Sequence, residues 1–514
     1  MTMLYKKRLR LVAGLLAISA LLTLDACQDH RLSPDPATLP DATVYALNDA
    51  NQLLRLSIRN SGTPQATMGI MGAGLMSGER MLSIDFRPAT GQLYGVSNMS
   101  RLFVINTATG EARPLTTTPF TPAIAGSVVG LDFNPTVDRI RLVTNTGQDL
   151  RLNPETGTVA AVDGSINGIS GAMIAEVAYT NNRAGATTTT LYDIDPATDR
   201  LYIQNPPNNG TLTDVGSLGL DITGSAGFDI APGDNTQGLV AVTFNGSSEL
   251  QQINLSTGRL QKLGNLPGTI IGLAIPTEPV AYAVDGSGNL LIFNPLNPSP
   301  IAKPLTGLQA GETLLGIDFR PVNGQLYAIG STSRLYTLNT SNGAAALVGT
   351  GPLSTLLNGN DVGFDFNPTV DRIRVITNAG QNLRLNPNDG AVAAVDGALN
   401  PGTPTVTAAA YTNNVAGATT TTLYNLDTQG ATVMLFQQNP PNNGTLVSVG
   451  SLGFPAEGAS GFDIGGTSGT AYALLRSNGS TRIYTVNLTN GSSVSGALLP
   501  GNPVIRGFAL GLGF

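Results

Sequence analysis

The chain has 514 residues, of which 12% are charged and 5% aromatic, with 62 Gly, 32 Pro and no Trp. Its formal net charge is −7, and without residues 1–26 it keeps 23 basic against 33 acidic residues, a balance that repels phosphate backbones and argues against nucleic acid as a partner. The only histidine is His30 and the only cysteine Cys27, so the body of the chain has no Ser-His-Asp or Cys-His arrangement, no His-ligated zinc and no internal disulfide.

Residues 1–26 read as an export signal. Lys6, Lys7, Arg8 and Arg10 precede an apolar run from Leu11 to Leu24, 14 residues that are too few to span a bilayer comfortably. The sequence Leu24-Asp25-Ala26-Cys27 resembles the lipobox of bacterial lipoproteins. That resemblance implies cleavage before Cys27, acylation of its thiol and amine, and a lipid anchor in the membrane. The other reading is an ordinary secretory signal with an incidental cysteine. Gln28 and Asp29 fit export to the outer membrane or cell surface of a bacterial envelope, and residues 27–43, with Pro34, Pro36 and Pro40, read as the lipidated cysteine and an extended tether.

From Val44 a module of about 47 residues repeats, with no sustained 3.6-residue apolar period to suggest helices. Its anchor position falls at Asp85, Asp132, Tyr179, Asp229, Ala274, Asp318, Asp365, Tyr411, Asp463 and Ala509. Each module reads as strand, five-residue turn, strand, loop, strand, Gly-bearing turn and strand, which predicts an all-β fold, a β-propeller of ten four-stranded blades. The phrase Asp132-Phe133-Asn134-Pro135-Thr136-Val137-Asp138-Arg139-Ile140-Arg141 returns almost unchanged at Asp365 to Arg374. Further long matches divide the chain into halves of five blades each, 44–275 and 276–514. Among them are Tyr179-Thr180-Asn181-Asn182 with Tyr411-Thr412-Asn413-Asn414, and Gln204 to Gly210 with Gln438 to Gly444.

At these phrases, together with Gly227-Phe228-Asp229-Ile230, the chain resembles a family of bacterial extracytoplasmic proteins known only as a domain of unknown function. The resemblance implies two tandem copies of an exported, propeller-like domain and brings no activity and no catalytic residues with it.

Only Pro276-Thr277-Glu278-Pro279 separates Ile270–Ile275 from the strand that starts at Val280, close to the hairpin length seen inside the other blades. Residues 270–275 are therefore expected to pair with that next strand, and the C-terminal strand to close a single ten-bladed ring. Two five-bladed rings are the alternative. The alternating terminus Arg506 to Phe514 resembles the last strand of an outer-membrane barrel, but a four-strand period without girdle-forming Trp speaks against a barrel.

The repeated aspartates Asp85, Asp132, Asp229, Asp318, Asp365 and Asp463 are the first candidate site. Carboxylates on inner strands suit acid/base pairs or a hard cation such as Ca²⁺ if they converge on the axis. Alternation instead turns each away from its flanking apolar pair and toward a neighbouring blade, where it accepts hydrogen bonds, and repetition in most blades favours this structural role. Asp138, Arg139 and Arg141, with Asp371, Arg372 and Arg374, are candidates for an anion-binding guanidinium fork or, more simply, for ion pairs that lock turn and blade. The Thr runs at 187–190 and 419–422 read as polar strands or edges. There is no Gly-rich phosphate loop and no Asp-x-Asp-x-Asp calcium loop, so no cofactor and no metal are expected. The expected function is that of an envelope-anchored, non-catalytic binding or scaffolding propeller for a protein or glycan. The alternative is a carboxylate-dependent polysaccharide hydrolase or lyase.

Overall fold

The computed structural model describes residue 39 and residues 42–514 apart from 429 and 459; Cys27 and the signal sequence lie outside these residues. The described chain forms ten four-stranded antiparallel sheets. The repeated phrase shows why each blade begins as it does. Asn134 Oδ1 accepts from Thr136 N (3.0 Å) and Thr136 Oγ1 (2.7 Å), Asp138 takes φ 51°, and its N–H returns to Asn134 O at 3.0 Å. An Asx turn and one left-handed residue thus reverse the chain, so that Asp132 comes to lie opposite Arg141. Asn367, Thr369 and Asp371 repeat the turn in the second half.

The ring closure differs from the expectation of a single ten-bladed ring. Ile270–Ala274 pairs with Thr43–Asn48, not with the strand that follows it, and the terminal Ile505–Leu510 pairs with Ala281–Asp285. Around one axis the inner strands Ile270–Ala274, Met81–Phe86, Val129–Asn134, Glu176–Tyr179 and Gly224–Asp229 touch in that order and return to the first. Ile505–Leu510, Leu314–Arg320, Val362–Asn367, Val406–Tyr411 and Gly461–Ile464 do the same around the other. The chain is two five-bladed rings. The reason is turn chemistry rather than length. The tight turns within blades place a residue at positive φ, Gly91 at 72°, Asp138 at 51° and Gly324 at 64°, whereas residues 276–279 hold two prolines and no residue at positive φ. They carry the chain from one ring to the next, and Pro276 and Pro279 each lack the N–H that a hairpin ladder would use.

Apolar side chains fill the seams between blades. Tyr94 meets Phe133 edge-on at 5.2 Å, and Tyr327 meets Phe366 likewise in the second ring. Around the first pair Val96, Leu102, Leu131, Ile140 and Leu150 are buried together, each contributing about 1.5–3 kcal/mol. At the axis the backbones themselves touch: a Cβ on Gly130 would lie 2.8 Å from Glu176 Cα, and one on Gly507 2.8 Å from Gly316 Cα. The inner strands of neighbouring blades therefore lie backbone against backbone. The Thr runs at 187–190 and 419–422 are loops rather than strands; Thr189 Oγ1 and Thr190 N bond back to Thr180.

The rings meet through the turns between first and second strands and between third and fourth strands. Tyr282 OH donates to Ala89 O (2.9 Å), Gly513 N to Thr90 O (2.8 Å), Arg87 Nη1 to Gly324 O (3.0 Å) and Thr340 Oγ1 to Asp138 Oδ2 (3.2 Å).

Candidate functional site

Three of the five anchor positions in each ring are aspartates, and the ring brings them together. One carboxylate oxygen each from Asp85, Asp132 and Asp229 lies within 4.8 Å of the others, and the same holds for Asp318, Asp365 and Asp463. All six are 0–1% exposed. The other two anchors stay out of the first cluster: Ala274 has no polar side chain, and the Tyr179 hydroxyl turns away to accept from Arg141 Nε at 3.2 Å.

Each aspartate also fastens its blade to the next. Asp85 Oδ2 accepts from Phe133 N (2.9 Å), Asp132 Oδ1 from Tyr179 N (3.2 Å) and Asp229 Oδ2 from Ile275 N (2.6 Å). In the second ring Asp318 takes Phe366 N (2.7 Å), Asp365 Tyr411 N (2.9 Å) and Asp463 Leu510 N (2.6 Å). The fastening and the convergence are one geometry, because an inner-strand side chain directed at the following strand is also directed around a narrow axis.

Burial pushes the Asp85, Asp132, Asp318 and Asp365 carboxyls well up, and the neighbouring carboxylates push them further. Asp229 is pushed up to about 7 by burial, against the opposing hydrogen bonds of Ile275, Ile230 and Asn182, and Asp463 to about 7 by burial against the amides of Leu510 and Ile464. Asn182, which the sequence did not single out, donates Nδ2 to Asp229 Oδ1 at 3.2 Å. Its place in the repeated Tyr-Thr-Asn-Asn phrase, shared with Asn414, was the available signal.

The arginines of the repeated phrase sit elsewhere and offer no free fork. Arg141 is 1% exposed and donates to Tyr179 OH, Asp149 (2.6 Å), Asp163 (2.6 Å) and Asn208 (2.7 Å). Arg374 does the same with Tyr411, Asn382, Asp396 and Asn442. Arg139 and Arg372 each reach back to the carbonyl of the preceding aspartate, at 2.7 and 2.8 Å. Asp138 holds Arg87 through two bonds of 2.9 and 2.5 Å, and Asp371 holds Arg320 through two of 2.8 and 2.5 Å. The Arg87 guanidinium holds the Asp138 carboxyl below the usual range despite its burial.

An open cleft of about 410 Å³ lies between the rings. Tyr45, Gln92, Asn106 and the Glu111–Arg113 pair line it from one ring, Asn414, Thr467 and Phe514 from the other. The Glu111–Arg113 pair in it is exposed, unlike the axial clusters.

The model of a domain of unknown function, DUF4394, matches residues 41–274 and again 289–509. No functionally curated protein matches the sequence. Similar solved structures include the extracellular domain of a putative one-component system from B. thetaiotaomicron, at 13% identity and TM-score 0.25, covering 88% of this chain and 66% of that one. PorZ, a surface component of the type-IX secretion system of Porphyromonas gingivalis, matches at 15% identity and TM-score 0.26 over 89% of this chain and 64% of that one. A putative 6-phosphogluconolactonase from Bacteroides fragilis matches at 14% identity and TM-score 0.28 over 65% and 95%. The chain thus spans just under two thirds of the length of the first two.

Proposed function

The chain belongs to the DUF4394 family through two tandem copies of that domain and inherits no reaction from it, and we propose on its own geometry that it is an envelope-anchored, non-catalytic binding module. The observation that carries this reading is the cleft between the rings, a concave surface of mixed polar and aromatic character lined from both rings. Its ligand is a segment of glycan or protein lying across Tyr45 and Phe514 and reaching the Glu111–Arg113 pair. The anchor follows from Cys27 behind its basic and apolar leader, and no described helix is long and apolar enough to cross a membrane.

A carboxylate hydrolase needs two carboxyl groups facing substrate. The axial carboxylates are closed off from any polysaccharide, and the pairs Asp149–Asp163 and Asp138–Glu155 are each taken up by a buried arginine.

The test uses the chain from residue 43 to 514 on glycan and protein arrays. Binding of at least one class, weakened about tenfold or more by Arg113→Ala, is expected. Binding that ignores cleft substitutions, or turnover of a bound polysaccharide, overturns the reading. Cys27→Ser is expected to release the full-length protein from membranes on fractionation, and a variant that stays bound removes the lipid anchor.

A further inference from the structure

The two axial clusters combine features that a purely structural role leaves unexplained. Three buried carboxylates face one another in each ring, and no arginine or lysine acts on Asp85 or Asp132, or on Asp318 or Asp365. Buried carboxylates without a cation are held neutral or are matched by a metal. Blade fastening uses only part of their capacity: Asp132 Oδ2 has no hydrogen-bond partner.

A second side chain, not itself acidic, ends at the same place. Asn182 is fully buried, its amide lies on Asp229 Oδ1 at 3.2 Å, and its own Oδ1 has no partner. Asn414, at the matching position of the second ring, is buried with its Oδ1 equally unpartnered. Half a turn of the terminal amide exchanges the N–H that now meets the carboxylate for a carbonyl oxygen.

We propose that each axial cluster is a buried site for one hard divalent cation, Ca²⁺ by preference, held by Asp85, Asp132, Asp229 and Asn182 in one ring and by Asp318, Asp365 and Asp463 in the other. The three carboxylate oxygens, no more than 4.8 Å apart, leave an ion among them at most about 2.8 Å from each, so a contraction of a few tenths of an ångström reaches the Ca²⁺–O range of about 2.3–2.6 Å. All ligands are oxygens, which disfavours zinc and the softer metals. Mg²⁺ demands shorter bonds, about 2.0–2.1 Å, and keeps several waters, which suits a cluster of fully buried carboxylates less well. The ion neutralises two of three charges and ties three blades of each ring to one point, without reacting with anything.

The experiment is metal analysis of the full chain, dialysed against chelator and then against excess Ca²⁺ followed by metal-free buffer. Two retained ions per chain are expected, with a higher melting temperature than the chelated protein. Asp132→Asn and Asp365→Asn are each expected to lower the count to one, and together to none. No retained Ca²⁺ in the wild-type chain, or two ions unaffected by both substitutions, overturns the proposal. Should one variant fail to fold, the wild-type count and the other variant decide.

Discussion

The two rings repeat one another closely, yet the same pair of residues lives in different surroundings in each. Arg87 and Asp138 in the first ring correspond to Arg320 and Asp371 in the second. Arg87 is 0% exposed, bonded also to Glu155 and to the carbonyl of Gly324 across the ring interface. Arg320 and Asp371 keep 12% and 28% of their side chains in water, and Asn388 stands where the first ring has Glu155. Duplication supplied two equal turns, and docking buried only one of them. An ion pair inside a protein is costly to break from one side, because the remaining charge stays buried without a partner; a solvated pair costs little.

The largest expected effect tests that difference directly. Arg87→Ala should lower stability in chemical denaturation by about 3–5 kcal/mol, and Arg320→Ala by about 1 kcal/mol or less. Equal losses would show that burial at the interface is not what separates the two turns.

A smaller effect is expected at blade seams. Asp193 is fully buried with neither carboxylate oxygen hydrogen-bonded, beside a Gln204 Oε1 that also lacks a partner. The second ring carries Asn425 there, whose Nδ2 donates to Gln438 Oε1 at 2.7 Å. A protonated Asp193 has the shape of Asn425 and supplies the same donor. Burial pushes its carboxyl well up, Asp149 adds to the shift and Arg141 opposes it. A carboxyl raised in the folded state stabilises fully below its unfolded value of about 3.9 and loses that contribution as pH rises toward the folded value. Asp193→Asn should therefore stabilise the protein at pH 7 by about 1–3 kcal/mol, with the gain vanishing below pH ~4. Asn425→Asp should do the reverse. A pH-independent effect would break the comparison.

The smallest effect concerns Arg200 and Asp214, paired at 2.7 and 2.5 Å on the surface, where the second ring has Met434 and Ser448. Arg200→Met should leave the melting temperature unchanged within error at physiological salt.

The repeat period, the four strands per blade and the division into halves were legible because they are local. Alternation, Asx turns and positive-φ residues write themselves every 47 residues or so. Ring closure was misread because the length of Pro276–Pro279 was weighed without its chemistry: its two prolines lack the N–H groups that a hairpin ladder would use. The aspartates were visible and their bonds to the next blade followed from alternation. Their meeting in threes was not, because residues 47 to 145 positions apart become neighbours only when five strands surround a narrow axis. The burial of Arg87 was equally hidden, since it depends on how one finished ring lies on another.

Closure of each ring by its own last strand sets an order of assembly. Tyr45 and Ala274 lie side by side, so everything needed for the first ring is available once Ile275 has emerged from the ribosome, before most of the second exists. The second ring can then form against a finished surface that already presents Ala89, Thr90 and Arg87. A single ring of ten would have stayed open at its closing seam until Leu510 arrived.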